Sequence, residues 1–164
     1  MVVIIFGVSG AGKTTIGQLL ADELGWRFYE GDDFHSQANI DKMRQGVPLR
    51  DEDRWPWLES LRELIKQCLV AGENAILACS ALKEAYRRRL RVSDKMKLVF
   101  LRGNYELIAN QLRQRREHFM SPALLQSQFA DLEEPQPTER AMVIKLGRSP
   151  RELVQEIKHK LRPS

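Results

Sequence analysis

The chain has 164 residues, a net charge of +4, and 43% hydrophobic against 29% charged residues. Those fractions are of a soluble globular domain large enough to bury a core, and no stretch approaches the ~18 consecutive apolar residues of a membrane helix. Two cysteines, Cys68 and Cys79, sit in apolar surroundings without metal-ligand spacing, which predicts reduced core thiols in a cytoplasmic protein rather than a disulfide.

In chain order, the β-branched run Val2–Phe6 predicts a buried first strand. It leads directly into Gly7-Val8-Ser9-Gly10-Ala11-Gly12-Lys13-Thr14, which satisfies the pattern G-x-x-x-x-G-K-[ST]. With a functional loop this close to residue 1, no leader peptide is expected. Residues 15–24 predict a helix with Ile16, Leu19, Leu20 and Leu24 on one face. A short strand at 26–29 ends in Glu30-Gly31-Asp32-Asp33, and a polar stretch with a short helix near 39–45 follows. A long helix then carries Leu58, Leu61, Ile65, Cys68 and Leu69 inward. Next come a strand at 75–79, a basic helix at 81–91, a strand at 98–101 and a helix with Ile108 and Leu112 inward. After a polar, arginine-bearing segment, Leu124, Leu125, Gln128, Phe129 and Leu132 mark a helix that Pro135 and Pro137 end. A last strand at 142–146 and a C-terminal helix carrying Leu153, Val154, Ile157 and Leu161 complete the chain. Alternating strand and helix periodicity predicts an α/β protein with five parallel strands flanked by helices, organised as one domain over residues 1–164.

The glycine-rich loop implies a nucleotide triphosphate. Its glycines let backbone N–H groups converge on phosphate oxygens, Lys13 reaches the β- and γ-phosphates, and Thr14 ligates Mg²⁺. The loop does not say where the γ-phosphate goes. Phosphoryl transfer also needs an acceptor site and mobile positive charge, sought at the carboxyl ends of the strands. Asp32 could accept the proton of an attacking hydroxyl or hold a metal-bound water, and Glu30 could do the second. Asp33 reads better as a cap or a solvent-facing acid. Gly31 would let a ligand approach closely. His35 could hydrogen-bond a polyol or serve structure. Arg54 offers a planar fork matched to a carboxylate, or a surface ion pair with its acidic neighbours. The run Asp51-Glu52-Asp53 suits a helix N-terminus, and Trp55 and Trp57 suit packing. No aspartate ends the third strand, which moves the outer metal shell towards Glu30 and Asp32. Lys83 and Arg87 are four apart on one helix face, either binding an anionic substrate or forming a solvated basic face. Arg113, Arg115 and Arg116 suit a lid that brings charge over the nucleotide and excludes water, or an exposed helix end. The basic clusters are short and carry little aromatic character, so a phosphate-handling enzyme is favoured over a nucleic-acid-binding module.

These pieces together resemble the gluconokinase family, within the small-molecule kinases that share the shikimate and adenylate kinase fold. The resembling blocks are GVSGAGKTT at 7–15, GDDFH at 31–35, NIDKM at 39–43, GVPLRDEDRWPWL at 46–58, CSALK at 79–83, YRRRLR at 86–91 and HFM…LLQSQFADLEEP at 118–135. The resemblance implies a P-loop NTPase fold and ATP- and Mg²⁺-dependent phosphorylation of D-gluconate at its 6-hydroxyl, with another small polyol or hydroxy acid such as shikimate as the alternative acceptor. It implies nucleotide contacts over residues 7–15, including Thr15, and catalytic roles for Lys13, Asp32 and Arg115. It places acceptor contacts at Asp32, Arg54, Lys83 and His118, to which the reading of the residues adds His35 and Arg87. A lid at about 114–122 and a homodimer are also implied, with neither nucleic acid nor membrane as partner. The chain departs from the family pattern at Glu30, where aspartate is frequent, and at Ser36, where proline is common.

Overall fold

The computed structural model describes residues 1–114 and 121–162. In chain order the elements are β1 (Val2–Phe6), α1 (Lys13–Leu24), β2 (Arg27–Glu30), a 3₁₀ turn (Gly31–Phe34), α2 (Gln37–Arg44), α3 (Asp51–Val70), β3 (Ala75–Ala78) and α4 (Glu84–Leu90). They continue with β4 (Met96–Arg102), α5 (Tyr105–Gln114), α6 (Pro122–Asp131), a second 3₁₀ turn (Pro137–Glu139), β5 (Met142–Lys145) and α7 (Pro150–Leu161). The five strands form one parallel sheet in the order β2-β3-β1-β4-β5.

The central strand shows why the apolar runs are continuous rather than alternating. Val2, Ile4 and Phe6 face a core layer built with Trp57, Leu58, Leu61 and Ile65 of α3 and with Tyr86 and Leu90 of α4. Val3 and Ile5 face the opposite layer, with Ile16 and Leu20 of α1, Ile108 of α5 and Leu153, Val154 and Ile157 of α7. A parallel strand covered by helices on both faces needs apolar residues at every position, and all five residues of β1 are buried. Cys68 and Cys79 are buried free thiols within the first layer, as their surroundings predict. Among the described residues, no helix is long and apolar enough to cross a membrane.

Two boundaries differ from the sequence expectation for identifiable reasons. The basic helix begins at Glu84 rather than 81. Ala81 and Leu82 donate their N–H groups to the carbonyls of Cys79 and Ser80, in two successive tight turns that are incompatible with a helix. Packing by itself requires Gly31. A Cβ there would lie 2.6 Å from the Ala78 carbonyl oxygen and 3.3 Å from the Cys79 Cα, because the end of β2 is pressed against the end of β3. Gly31→Ala is therefore expected to cost about 1–3 kcal/mol through overpacking against backbone, seen as a lower midpoint of thermal unfolding.

Candidate active site

β1 ends in the phosphate loop, and the central strand thus delivers the loop to the carboxyl edge of the sheet. Gly10 and Gly12 hold φ of 85° and 95°, a left-handed backbone that side chains resist and glycine adopts without penalty. Gly12 is also the N-cap of α1 and supplies no side-chain cap, and the loop thus leads straight into a helix N-terminus, whose dipole favours an anion. Lys13 Nζ arches back to donate to the carbonyls of Gly7 and Val8, 3.0 Å each. The Thr14 hydroxyl donates a hydrogen bond to the Glu30 carboxylate. Burial pushes the Glu30 carboxyl up, with the charge of Asp32 adding to it and the Thr14 and Asp32 donors opposing. A hydroxyl and a carboxylate converging beside a phosphate loop fit a Mg²⁺ ion, which is bound through one or two carboxylates together with substrate phosphates. Glu30 thus reaches Thr14 despite being one methylene longer than the family's frequent aspartate.

The turn after β2 is pinned from below. Trp57 Nε1 donates to the Gly31 carbonyl at 2.8 Å, and the Trp57 ring stacks on His35 at 4.3 Å between centroids. Asn39 Nδ2 donates to the Asp53 carbonyl at 2.8 Å and sits 3.2 Å from His35 Nδ1. That donor makes Nδ1 the acceptor and leaves the ring proton on Nε2. Burial lowers the His35 pKa and the Arg54 charge lowers it further, against the nearby charge of Asp32, so the ring is neutral near pH 7. Asp32 and Asp33 are both exposed. Asp53 accepts from the Arg50 N–H and from Lys42, which is the helix-start role its position suggested.

A narrow cleft of only about 20 Å³ lies between this turn, α3 and α6, lined by His35, Arg54, Trp57, Ser80, Leu124 and Gln128 among others. Arg54 is buried, and its Nη1 donates to the Tyr86 hydroxyl at 2.9 Å and to Asp131 of α6 at 3.1 Å. The Tyr86 hydroxyl in turn donates to Asp51, which also accepts from Lys83 at 3.0 Å. The Tyr86 and Lys83 bonds hold the Asp51 carboxyl below the usual carboxylate range. Lys83 therefore joins the site through Asp51. A second cleft of about 370 Å³ is lined by Ala11 and Gly12 of the loop together with Thr15, Gln111, Arg148 and Pro150.

Arg87 is not an acceptor residue. It is 1% exposed, and all five of its N–H donors are used. Nε and Nη2 bond Glu139 at 2.6 and 3.2 Å, Nη1 bonds the carbonyls of Ala81 and Leu82, and Nη2 also bonds the Glu133 carbonyl. Its guanidinium lies 4.8 Å over the Phe6 ring. The shared face expected for Lys83 and Arg87 does not form, because Lys83 is the extended N-cap residue of α4. Arg115 and His118, and most of the lid expected at 114–122, lie outside the described residues. Sequence reasoning also passed over Tyr86, Asp131 and Gln128. The last two sit three residues apart on α6, within a block of the family resemblance that gave no role to individual residues.

A shikimate kinase family model matches residues 9–162. A gluconokinase of Arabidopsis thaliana is 46% identical over 95% of this chain and 89% of its own. The thermosensitive gluconokinase of Escherichia coli is 47% identical over 85% of this chain and 75% of its own. The chain belongs to the gluconokinase family. The crystal structure of a gluconokinase from Sinorhizobium meliloti superposes with a TM-score of 0.85 at 39% identity, covering 94% of this chain and 87% of that one. The fold of this gluconokinase family member is that of the P-loop kinases. The glycine-rich loop occupies residues 7–14, and the GDDFH and RWPWL blocks form the turn after β2 and the Arg54 segment of α3.

Proposed function

We propose that this chain transfers the terminal phosphoryl group of ATP to the 6-hydroxyl of D-gluconate, giving 6-phospho-D-gluconate. The observation that carries this reading is the meeting of the phosphate loop with a cleft walled by a buried arginine and a neutral histidine, at the carboxyl ends of β1, β2 and β3. That is where open α/β sheets bind ligands.

Lys13 leaves the Gly7 and Val8 carbonyls for the β- and γ-phosphates, and the loop and helix start at residues 7–15 surround the phosphates. Thr14 and Glu30 would hold Mg²⁺, which when bound offsets charge on the phosphates. Arg54 binds the acceptor's carboxylate with its fork, already oriented by Tyr86 and Asp131. His35 donates Nε2–H to an acceptor hydroxyl. Asp32 takes the proton of the attacking hydroxyl as the new O–P bond forms and the bond to the leaving ADP breaks. Lys83 acts at one remove, by fixing Asp51 and so Tyr86. From the family resemblance, Arg115 is assigned to catalysis and His118 to acceptor binding.

A panel of acceptors in a coupled ADP-release assay tests this directly: gluconate supports turnover, and shikimate and neutral polyols do not. Turnover with shikimate alone would overturn the assignment. Within the same assay, Arg54→Ala leaves a carboxylate without its partner. The expected loss is about 2–5 kcal/mol of acceptor binding, at least thirtyfold in kcat/KM for gluconate, with ATP affinity nearly unchanged. Unaltered gluconate kinetics would remove Arg54 from the site.

A further inference from the structure

Arg54 and Trp57 stand three residues apart on α3 and so share one face, which is anchored in the core by the fully buried Leu58 and Leu61. Trp57 is 3% exposed, and its indole meets the turn after β2 at both ends. Nε1 donates to the carbonyl of Gly31, where the turn begins, at 2.8 Å. The ring lies against that of His35, which caps the turn, with 4.3 Å between centroids and 12° between planes. The backbone at Gly31 has no slack on its other side, where a Cβ would stand 2.6 Å from the Ala78 carbonyl oxygen. The N–H of the same Gly31–Asp32 peptide points to Glu30. The carbonyl held by Trp57 therefore belongs to the peptide that carries Asp32, and an exposed carboxylate on a short side chain takes its aim from its backbone.

We propose that Trp57 is a positioning residue that fixes Asp32 and His35 relative to Arg54. Its N–H sets the peptide plane from which Asp32 projects, and its ring sets the plane of the His35 imidazole. Arg54 rises from the same helix face one turn earlier. Side chains from two segments are thereby referred to one rigid surface. Trp57 takes no proton and brings no charge; it acts through the two residues that it holds. A general base must lie within hydrogen-bond reach of the proton that it takes, and a misplacement of about 1 Å costs on the order of a hundredfold in rate. A loosened turn is therefore felt first in kcat. The inference rests on the kinase reading above, in which Asp32 is the base and His35 a donor to the acceptor.

A double-mutant cycle separates this role from a structural one. Trp57→Phe keeps a ring against His35 and removes the N–H, whereas Trp57→Leu removes both. Trp57→Phe should lower kcat by about ten- to hundredfold, with the KM values for ATP and gluconate nearly unchanged. Trp57→Leu should lower kcat as far and also raise the KM for gluconate by about three- to tenfold, the worth of a lost aromatic pair. In an Asp32→Asn background there is no base left to misplace, so adding Trp57→Phe should lower kcat no further. A purely structural tryptophan would give the same fall in both backgrounds, and that additive result, with Asp32→Asn itself slow, overturns the role of Trp57 while leaving Asp32 as the base. An unchanged kcat in Trp57→Phe overturns it as well. An Asp32→Asn enzyme that turns over normally overturns the base reading and this inference together. Should Trp57→Phe fail to fold, benzothienylalanine at position 57, with sulfur in place of the N–H and the ring size kept, runs the same cycle. If an acceptor other than gluconate proves to be the substrate, the cycle is read with that acceptor and decides in the same way.

Discussion

Asp32→Asn is expected to lower kcat by about 10²–10⁴-fold, the usual contribution of a positioned general base, with nucleotide affinity and thermal stability unchanged. The substitution keeps size and shape and removes only the capacity to accept a proton. The turn does not depend on the carboxylate: the Asp32 N–H goes to Glu30 at 3.4 Å and its carbonyl accepts the His35 N–H at 3.2 Å. Trp57 holds the Gly31 carbonyl independently. Loss of the Asp32 charge also removes an influence that raises the His35 pKa, so His35 stays neutral and keeps its Nε2–H. Single-turnover measurement separates chemistry from product release. A burst rate equal to that of the wild type would show that Asp32 does not take the proton. Asp33→Asn is the matched control and should leave the rate unaltered, since Asp33 faces solvent one residue further on.

The parts of the fold legible in the sequence were those whose signal is local. The β1 run, the phosphate loop and the apolar stripe of α3 each lie within a short window, and the structure places them where periodicity did. The acidic start of α3 was legible too, because a helix N-terminus favours carboxylates whatever lies around it. What failed was partnering between distant segments. In sequence, Arg87 looks like one more member of a basic helix. Its partner Glu139 stands 52 residues away, on a 3₁₀ turn before β5, and no helical spacing points to it. The same blindness hid the role of Gly31. A glycine before an aspartate at a strand end suggested room for a ligand, while the close neighbour is the carbonyl of Ala78 on the next strand. Arg54 was singled out for its fork, but the groups that aim it, Tyr86 and Asp131, come from two other helices. Contacts of this kind follow from the strand order, which the periodicity alone does not fix.

Arg87→Met should cost about 3–5 kcal/mol, because it leaves a buried carboxylate without its partner. For a chain of this length that lowers the unfolding midpoint by roughly 6–20 °C. Three carbonyls, those of Ala81, Leu82 and Glu133, also lose their donor. The sign of the pH dependence makes the test specific. Burial raises the Glu139 carboxyl, but the Arg87 hydrogen bonds, the Gln136 N–H and the charges of Arg87 and Arg91 outweigh it and hold the group below its ordinary value. A depressed native pKa means that the contribution is fully present above the unfolded value, about 4.3 for glutamate. It is lost as pH falls through the lower native value. In Arg87→Met the same carboxyl is buried with its main partner gone, so its native pKa rises and protonation favours the fold. The stability gap between wild type and variant should therefore narrow as pH is taken from 7.5 towards 4, followed by circular dichroism melts at each pH. A second change, Glu139→Gln on top of Arg87→Met, should recover part of the loss at pH 7.5 by removing the stranded charge. A gap that does not change with pH would mean that the pair is not the source of the loss. A stable Arg87→Met with a raised KM for gluconate would return Arg87 to the acceptor site.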